Sequence, residues 1–556
     1  MTETTAPVAE NPRTSTAARI GWAILIAATL YVCYFSHLGA IGFVGPDEPR
    51  YAWIARDMAE TGDWVTPRLY GKPWFEKPPL FYWGAALCFK LFGVSEAAAR
   101  LPSAISALLA TLVLAWLALR LYGAETARWL LLLLPTTVGM IGFSHAAATD
   151  MPFSAMLTIA MVCAADVLGL RRNEHTPILP RTPWLALILF GFFLGFAVLA
   201  KGPAAIILSG GAIFFWALFT KRWRDAFRLF HPAALASFCF TALPWYILCA
   251  RRNPDFFRIF IIEHNFKRFL TPEFQHIQPF WYYAPILLIA FVPWTPIFLS
   301  VLKDLIRNWK FQVDSLQIYS CCWAALPVVF FSASKSKLPG YVLPVLFPLT
   351  LLLSHSISVR VQEPFPSERW IGVASGTAVL GMIAVAFARL PFAVDYFPAW
   401  PFFLVQPLAP LAAIAAIALG FRGRTPLALI VSTLCLLFTL GVGLTGAASW
   451  MLDRRTSARW ATTVPEGVSR EYWATHVATY KLQRSFLYGL NFYMRREVPE
   501  WSKNISERNW VFTTSKDMPE LGAMGLECPY FMNLPSVVVC EAGNSAGSLP
   551  RSGQPH

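Results

Sequence analysis

Charge is what this sequence has least of. Asp, Glu, Lys and Arg make up 14% of its 556 residues, against 56% hydrophobic residues and a mean hydropathy of +0.49. That is too little charge to coat one large soluble core, so the chain reads as a polytopic membrane protein. Other signatures are missing altogether. There is no Gly-x-x-x-x-Gly-Lys-Ser/Thr loop, no dinucleotide fingerprint and no His-Glu-x-x-His, which leaves nucleotide-driven transport and zinc proteolysis without support. No small-residue cleavage site follows the first apolar run, so that run reads as an uncleaved anchor. Acidic residues fall short of basic ones, 32 against 46, for a net charge of +14. In a polytopic chain Lys and Arg gather in cytoplasmic loops, so orientation explains the excess and no nucleic-acid partner is expected.

What is present is a series of apolar runs. They recur at 17–36, 97–121, 128–145, 151–169, 184–200, 203–219, 232–250, 281–301, 316–331, 339–356, 370–389, 400–421 and 426–448, about thirteen on the spanning-length criterion of about 20 residues. The run from Leu80 to Gly93 is shorter, carries Lys90, and reads as an interfacial or re-entrant helix. With a cytoplasmic N-terminus, alternate loops carry Arg120/Arg128, Arg171/Arg172/Arg181, Lys221/Arg222/Arg224/Arg228, Lys303/Arg307/Lys310, Arg360/Arg369 and Arg422/Arg424. The positive-inside rule is then satisfied throughout, and an odd number of spans places the C-terminus outside. The expected organisation is a disordered cytoplasmic stretch at 1–16, a transmembrane domain at 17–449 with an outer loop at 37–96, a small outer α/β domain at 450–542, and a disordered tail at 543–556. Strands are expected around Trp510–Thr514 and Val537–Cys540, and a helix over Tyr480–Tyr488. Cys528 and Cys540 are the only cysteines of that outer domain, where an oxidising compartment favours a disulfide between them.

The outer loop reverses the scarcity of charge. Asp47, Glu48, Arg50, Arg56, Asp57, Glu60, Asp63, Lys72, Glu76 and Lys77 crowd between two apolar stretches, a costly concentration beside a bilayer. Locally, Asp47 is placed to cap a helix with Pro49 in its first turn and Gly62 at its C-terminal cap. Tyr51, Ile54, Ala55 and Met58 would form its apolar stripe. The same charge count puts Asp150, Lys201, Glu263, His264, Lys335 and Lys337 on the outer side. Taken singly, each reads as a helix cap, a snorkelling lysine or a loop charge. Together on one face they read as a site, with Asp47 and Asp150 expected in one cavity. An enzyme on that face has no nucleotide and must use a pre-activated donor, so cations should gather where a phosphate leaves or arrives: Arg50, Lys77, Lys201, Lys335 and Lys337.

Six motifs carry a resemblance: Pro46-Asp-Glu-Pro-Arg-Tyr, Gly62-Asp-Trp-Val, Trp74-Phe-Glu-Lys-Pro-Pro, Thr149-Asp-Met-Pro, Ala200-Lys-Gly-Pro and Ser336-Lys-Leu-Pro-Gly-Tyr-Val-Leu-Pro. In this order they resemble the bacterial aminoarabinose lipid A transferases, among the C-type integral membrane glycosyltransferases. The resemblance implies transfer of 4-amino-4-deoxy-L-arabinose from undecaprenyl phosphate to a lipid A phosphate. It also implies an inner-membrane protein with a periplasmic site and a role in resistance to polymyxin and other cationic peptides. By matching position, it implies catalytic roles for Asp47 and Asp150 and substrate contacts for Glu76, Lys77 and Tyr341. Gly340 stands where some relatives carry Thr, a change the sequence alone gives no meaning. The residue types suit the chemistry, since carboxylates favour a cationic sugar and lysines an anionic leaving phosphate. No cofactor is required, although Glu76 and His264 are candidate ligands for a divalent metal such as zinc. The alternatives are a protein O-mannosyltransferase, which shares the acidic first loop, and a lipid-linked sugar transporter. The chain shows no internal repeat, and its charges lie at one face, which disfavours the transporter.

Overall fold

The computed structural model describes residues 16–170, 183–267, 270, 277–308, 315–362, 369–388, 400–443, 453, 456–462, 469–502, 510–528 and 538–542. The stretches expected to be disordered, and Arg171, Arg172, Arg181 and Lys310 of the basic loops, lie outside these apart from Thr16. The protein is a multi-pass α-helical membrane protein carrying a small sheet near its C-terminus. All thirteen apolar runs are helical over at least part of their length. The count of thirteen spans, however, does not follow from length and apolarity. Eight described helices meet both, among them Glu96–Tyr122, Asp150–Val167, Trp184–Lys201 and Pro232–Arg252, and Ala204–Thr220 is apolar but shorter.

Two of the expected spans are broken. The run at 128–145 forms Ala124–Leu133 and Val138–Ser144, bent by 64°, and would bring the number of spans to nine if counted as one. The run at 281–301 forms Tyr283–Ala290 and Thr295–Asn308. Pro135 and Pro293 lie in the breaks, where neither can donate a backbone hydrogen bond. The two breaks satisfy each other: the Val138 N–H donates to Val292 O at 2.9 Å, and Trp294 Nε1 donates to Thr136 Oγ1 at 2.7 Å. Irregular backbone within a membrane domain is tolerated when it is buried in protein and paired in this way.

The charged loop at 37–96 folds into helices Asp47–Thr61 and Leu80–Phe92, packed on each other, with a two-residue hairpin between them. Strands Arg68–Leu69 and Lys72–Pro73 turn through Tyr70 and Gly71, both at positive φ, as a tight hairpin of this kind requires. Gly62 closes the first helix in the left-handed conformation, its N–H donating to Met58 O, as expected. The expected stripe Tyr51, Ile54, Ala55 and Met58 is buried.

Near the C-terminus a four-stranded sheet runs in the order Val477–Thr479, Trp510–Thr513, Val538–Ala542, Leu526–Glu527. The first pair is parallel and the others antiparallel. The helix expected over Tyr480–Tyr488 instead covers Arg484–Met494, because Tyr480 still belongs to the sheet edge and donates its N–H to Phe512 O at 2.9 Å. Cys528 and Cys540 form the expected disulfide. Thiol labelling of denatured, unreduced protein should therefore leave both unmodified, and labelling of both would contradict the bond.

Candidate active site

The charged first loop is built on an ion pair that the sequence reading did not single out. Glu48 and Arg100 are buried, and all five Arg100 N–H groups are used: on Glu48 at 2.8 and 3.0 Å, and on the carbonyls of Leu38, Ile41 and Gly42 at 2.6–2.9 Å. Glu48 also accepts the backbone N–H groups of Val44 and Ala147, each at 2.7 Å. One saturated pair thus fixes the start of the loop, the first turn of the Asp47–Thr61 helix and the turn that leads into Asp150. The signal was legible, since Arg100 is a charge near the start of a spanning apolar run.

Asp47 is not a helix cap. Pro46 occupies the capping position without a side-chain bond, and Asp47 is the first helical residue. Its carboxylate pairs instead with Arg50, which also donates to Glu76 at 3.2 Å. The Arg50 guanidinium lies 5.4–5.6 Å from the ring centroids of Tyr51, Trp74 and Tyr488. Burial disfavours its charge, but Glu76, Tyr51 and Asp47 together raise its pKa, so it remains a cation. Burial, with Glu76 and Asp47 adding to it, pushes the Tyr51 phenol far above its usual range. Tyr488 is a second residue the sequence reading missed. It comes from the C-terminal Arg484–Met494 helix, which also binds the loop through Arg56 to Phe492 O at 3.0 Å and Asn491 to the Tyr70 hydroxyl at 2.9 Å.

Asp150 opens the Asp150–Val167 helix, where the helix dipole favours a carboxylate. It accepts from Lys201 Nζ at 2.5 Å, and that ammonium lies 4.5 Å from the Tyr341 ring centroid. Lys77, Lys201, His264, Ser334, Ser336 and Tyr341 line a cavity of about 510 Å³, whose remaining walls include Ile207, Ile261, Leu270, Phe330 and Phe331. The sequence expectation placed Asp47 and Asp150 in one cavity. Neither is a lining residue here: Asp150 reaches it through Lys201, and Asp47 through Arg50 and Glu76, the neighbour of Lys77. Lys337 also stays behind the wall, where it donates to Ser334 O at 2.6 Å. Burial, then Lys335, lowers its pKa. Glu76 is engaged by Arg50 while His264 faces the cavity, and no group of three or more His, Cys, Asp and Glu suited to a metal occurs among the described residues.

Gly340 acquires a meaning here. A Cβ at this position would lie 2.5 Å from Asp150 Oδ1 and 2.7 Å from its Cγ, and the carboxyl has little room to move while it holds Lys201. Gly340→Thr should displace Asp150 and lower turnover about tenfold or more, the scale of a small misplacement of a reacting group. Normal turnover in the folded variant would show that the carboxylate position is unimportant.

A family model described as dolichyl-phosphate-mannose-protein mannosyltransferase matches residues 18–260. The undecaprenyl phosphate-alpha-4-amino-4-deoxy-L-arabinose arabinosyl transferase of Erwinia tasmaniensis is 32% identical over 382 residues, 68% of this chain and 67% of that one. The protein of the same name from Pseudomonas aeruginosa is 32% identical over 411 residues, 73% of this chain and 72% of that one. Among solved structures, ArnT from Cupriavidus metallidurans bound to undecaprenyl phosphate shares the fold, with a TM-score of 0.72 and 24% identity over 94% of this chain and 98% of that chain.

Proposed function

The chain belongs to the undecaprenyl phosphate-alpha-4-amino-4-deoxy-L-arabinose arabinosyl transferase family, and from that membership we propose that it moves this aminosugar from undecaprenyl phosphate to a phosphate of lipid A. It is a membrane glycosyltransferase. The reading places it in the bacterial inner membrane with its site facing the periplasm, the side the basic loops leave free. The observation that carries it is the cavity, whose largely apolar lining, suited to a prenyl chain, includes the cationic residues Lys77 and Lys201.

The chemistry follows from that arrangement. The bond between the anomeric carbon and the carrier phosphate breaks, and its electron pair leaves with undecaprenyl phosphate. An oxygen of the acceptor phosphate forms the new bond to that carbon. The acceptor is already an anion, so no general base is needed. Lys77 and Lys201 stabilise the charge gathering on the leaving phosphate, and the carboxylates stabilise the positive charge gathering on the sugar. Asp150 also holds Lys201 in place, and Asp47 stays accessible at 49% side-chain exposure.

Purified protein in detergent, given the lipid-linked aminosugar and lipid A, should form modified lipid A, although no compartment exists for transport. No product would refute the reading and favour a transporter; transfer to a protein hydroxyl instead would favour a mannosyltransferase-like acceptor. Lys77→Ala should raise the donor concentration needed for half-maximal rate by about tenfold or more, the value of a charge-assisted phosphate contact. Unaltered donor dependence in the correctly inserted variant would remove Lys77 from the phosphate site.

A further inference from the structure

A second cavity, of about 460 Å³, shares no lining residue with the first and is bounded by Phe190, Leu194, Ile213, Phe214 and Phe238 among others. The helix Ala204–Thr220 connects the two places. It begins just after Lys201 and ends at Lys221, about 25 Å further across the membrane. The second cavity runs along this helix towards Lys221 and is closed by the Trp223–Phe227 helix and the turn after it. Ser209 carries the one hydroxyl among its lining residues, and that hydroxyl is spent on Ala205 O at 2.8 Å. A cavity of this kind does not retain water.

The short helix at its mouth is basic on one side and aromatic on the other. Arg222 is occupied by Asp225 at 2.7 Å and by Leu168 O at 2.8 Å, which anchors the helix. Arg228 shares Asp225 at 3.2 Å but is 61% exposed, and Lys221 and Arg224 are exposed beside it. Phe227 and Phe230, each 66% exposed, line the cavity at this mouth. A run of Lys and Arg interleaved with Trp and Phe at a helix end is the pattern of an anionic membrane interface.

We propose that this cavity binds an anionic phospholipid of the leaflet opposite the active site, with one acyl chain between the 184–201, 204–220 and 232–252 helices and its phosphate on Arg224, Arg228 and Lys221. The apolar lining accepts an acyl chain, and the excess positive charge at its mouth selects an anionic phospholipid over a neutral lipid. The site is independent of sugar transfer. Gly210 lines the cavity, and a Cβ there would meet nothing within 4 Å, so a larger side chain can enter the space without first displacing protein.

The test uses the full chain in nanodiscs that contain phosphatidylglycerol with a photoactivatable acyl chain. Crosslinks should map to 190–194, 206–214 and 234–238, and phosphatidylcholine carrying the same group should label them about tenfold less. Gly210→Leu and, separately, the double variant Arg224→Gln/Arg228→Gln should each reduce labelling about tenfold or more, with sugar transfer unchanged. The double variant keeps the test decisive if Gly210→Leu does not fold. Equal labelling by both lipids, labelling that survives the double variant, or displacement by undecaprenyl phosphate but not by phosphatidylglycerol would each overturn the proposal.

Discussion

Glu48→Gln is expected to cost about 3 kcal/mol or more of stability, and to abolish most sugar transfer in whatever folded protein remains. Glu48 and Arg100 are 7% and 4% exposed, so the substitution leaves a guanidinium buried without its counter-charge. The replacement cannot keep the other bonds either. Four N–H groups converge on the carboxylate, from Val44, Ala147 and two nitrogens of Arg100, whereas an amide offers one acceptor oxygen and turns its own N–H groups towards donors. Transfer falls because both halves of the site hang on this pair: Asp47 is its neighbour in the helix, and Ala147 leads into Asp150. Thermal unfolding of Glu48→Gln, Arg100→Gln and the double variant would measure the coupling, which should be well above 1 kcal/mol. Additive losses would mean that the pair does not act as one unit.

That pair also shows what the sequence disclosed and what it withheld. Hydropathy located every long helix, because spanning a bilayer demands about 20 apolar residues whatever the neighbours are. It could not show that the runs at 128–145 and 281–301 are broken. Pro135 and Pro293 were visible, but proline occurs within intact helices of this chain as well, at Pro102, Pro244 and Pro327. What distinguishes the broken runs is that the freed groups of one find partners in the other, which is a tertiary fact.

The site was legible as a set of charges on one face and not as a set of partners. Asp47 read equally well as a cap, since Asp before Glu-Pro-Arg is a common helix start. Only the position of Arg50, held between Asp47 and Glu76, shows the carboxylate turned towards the charge cluster. Lys201 and Asp150 were both named, yet their direct bond was not foreseeable from two separate motifs. Tyr488 had no local signal at all, because its contact with Arg50 depends on how the C-terminal helix docks on the loop. Gly340 read as neutral until Asp150 was found against it.

The central claim is that Asp47 and Asp150 stabilise charge in the transition state of sugar transfer. Asn at either position keeps size and helix compatibility while removing the charge. For Asp47 the first turn is expected to be unaffected, because no capping bond is lost. For Asp150 the substitution also loosens the hold on Lys201, so its effect should be at least as large. The direct measurement is single-turnover transfer of the aminosugar by purified Asp47→Asn and Asp150→Asn proteins whose melting temperatures match that of the unmodified chain. The expected result is a rate about a hundredfold lower or more in each, the scale on which one preorganised electrostatic group contributes. Near-normal rates in both variants would contradict the account.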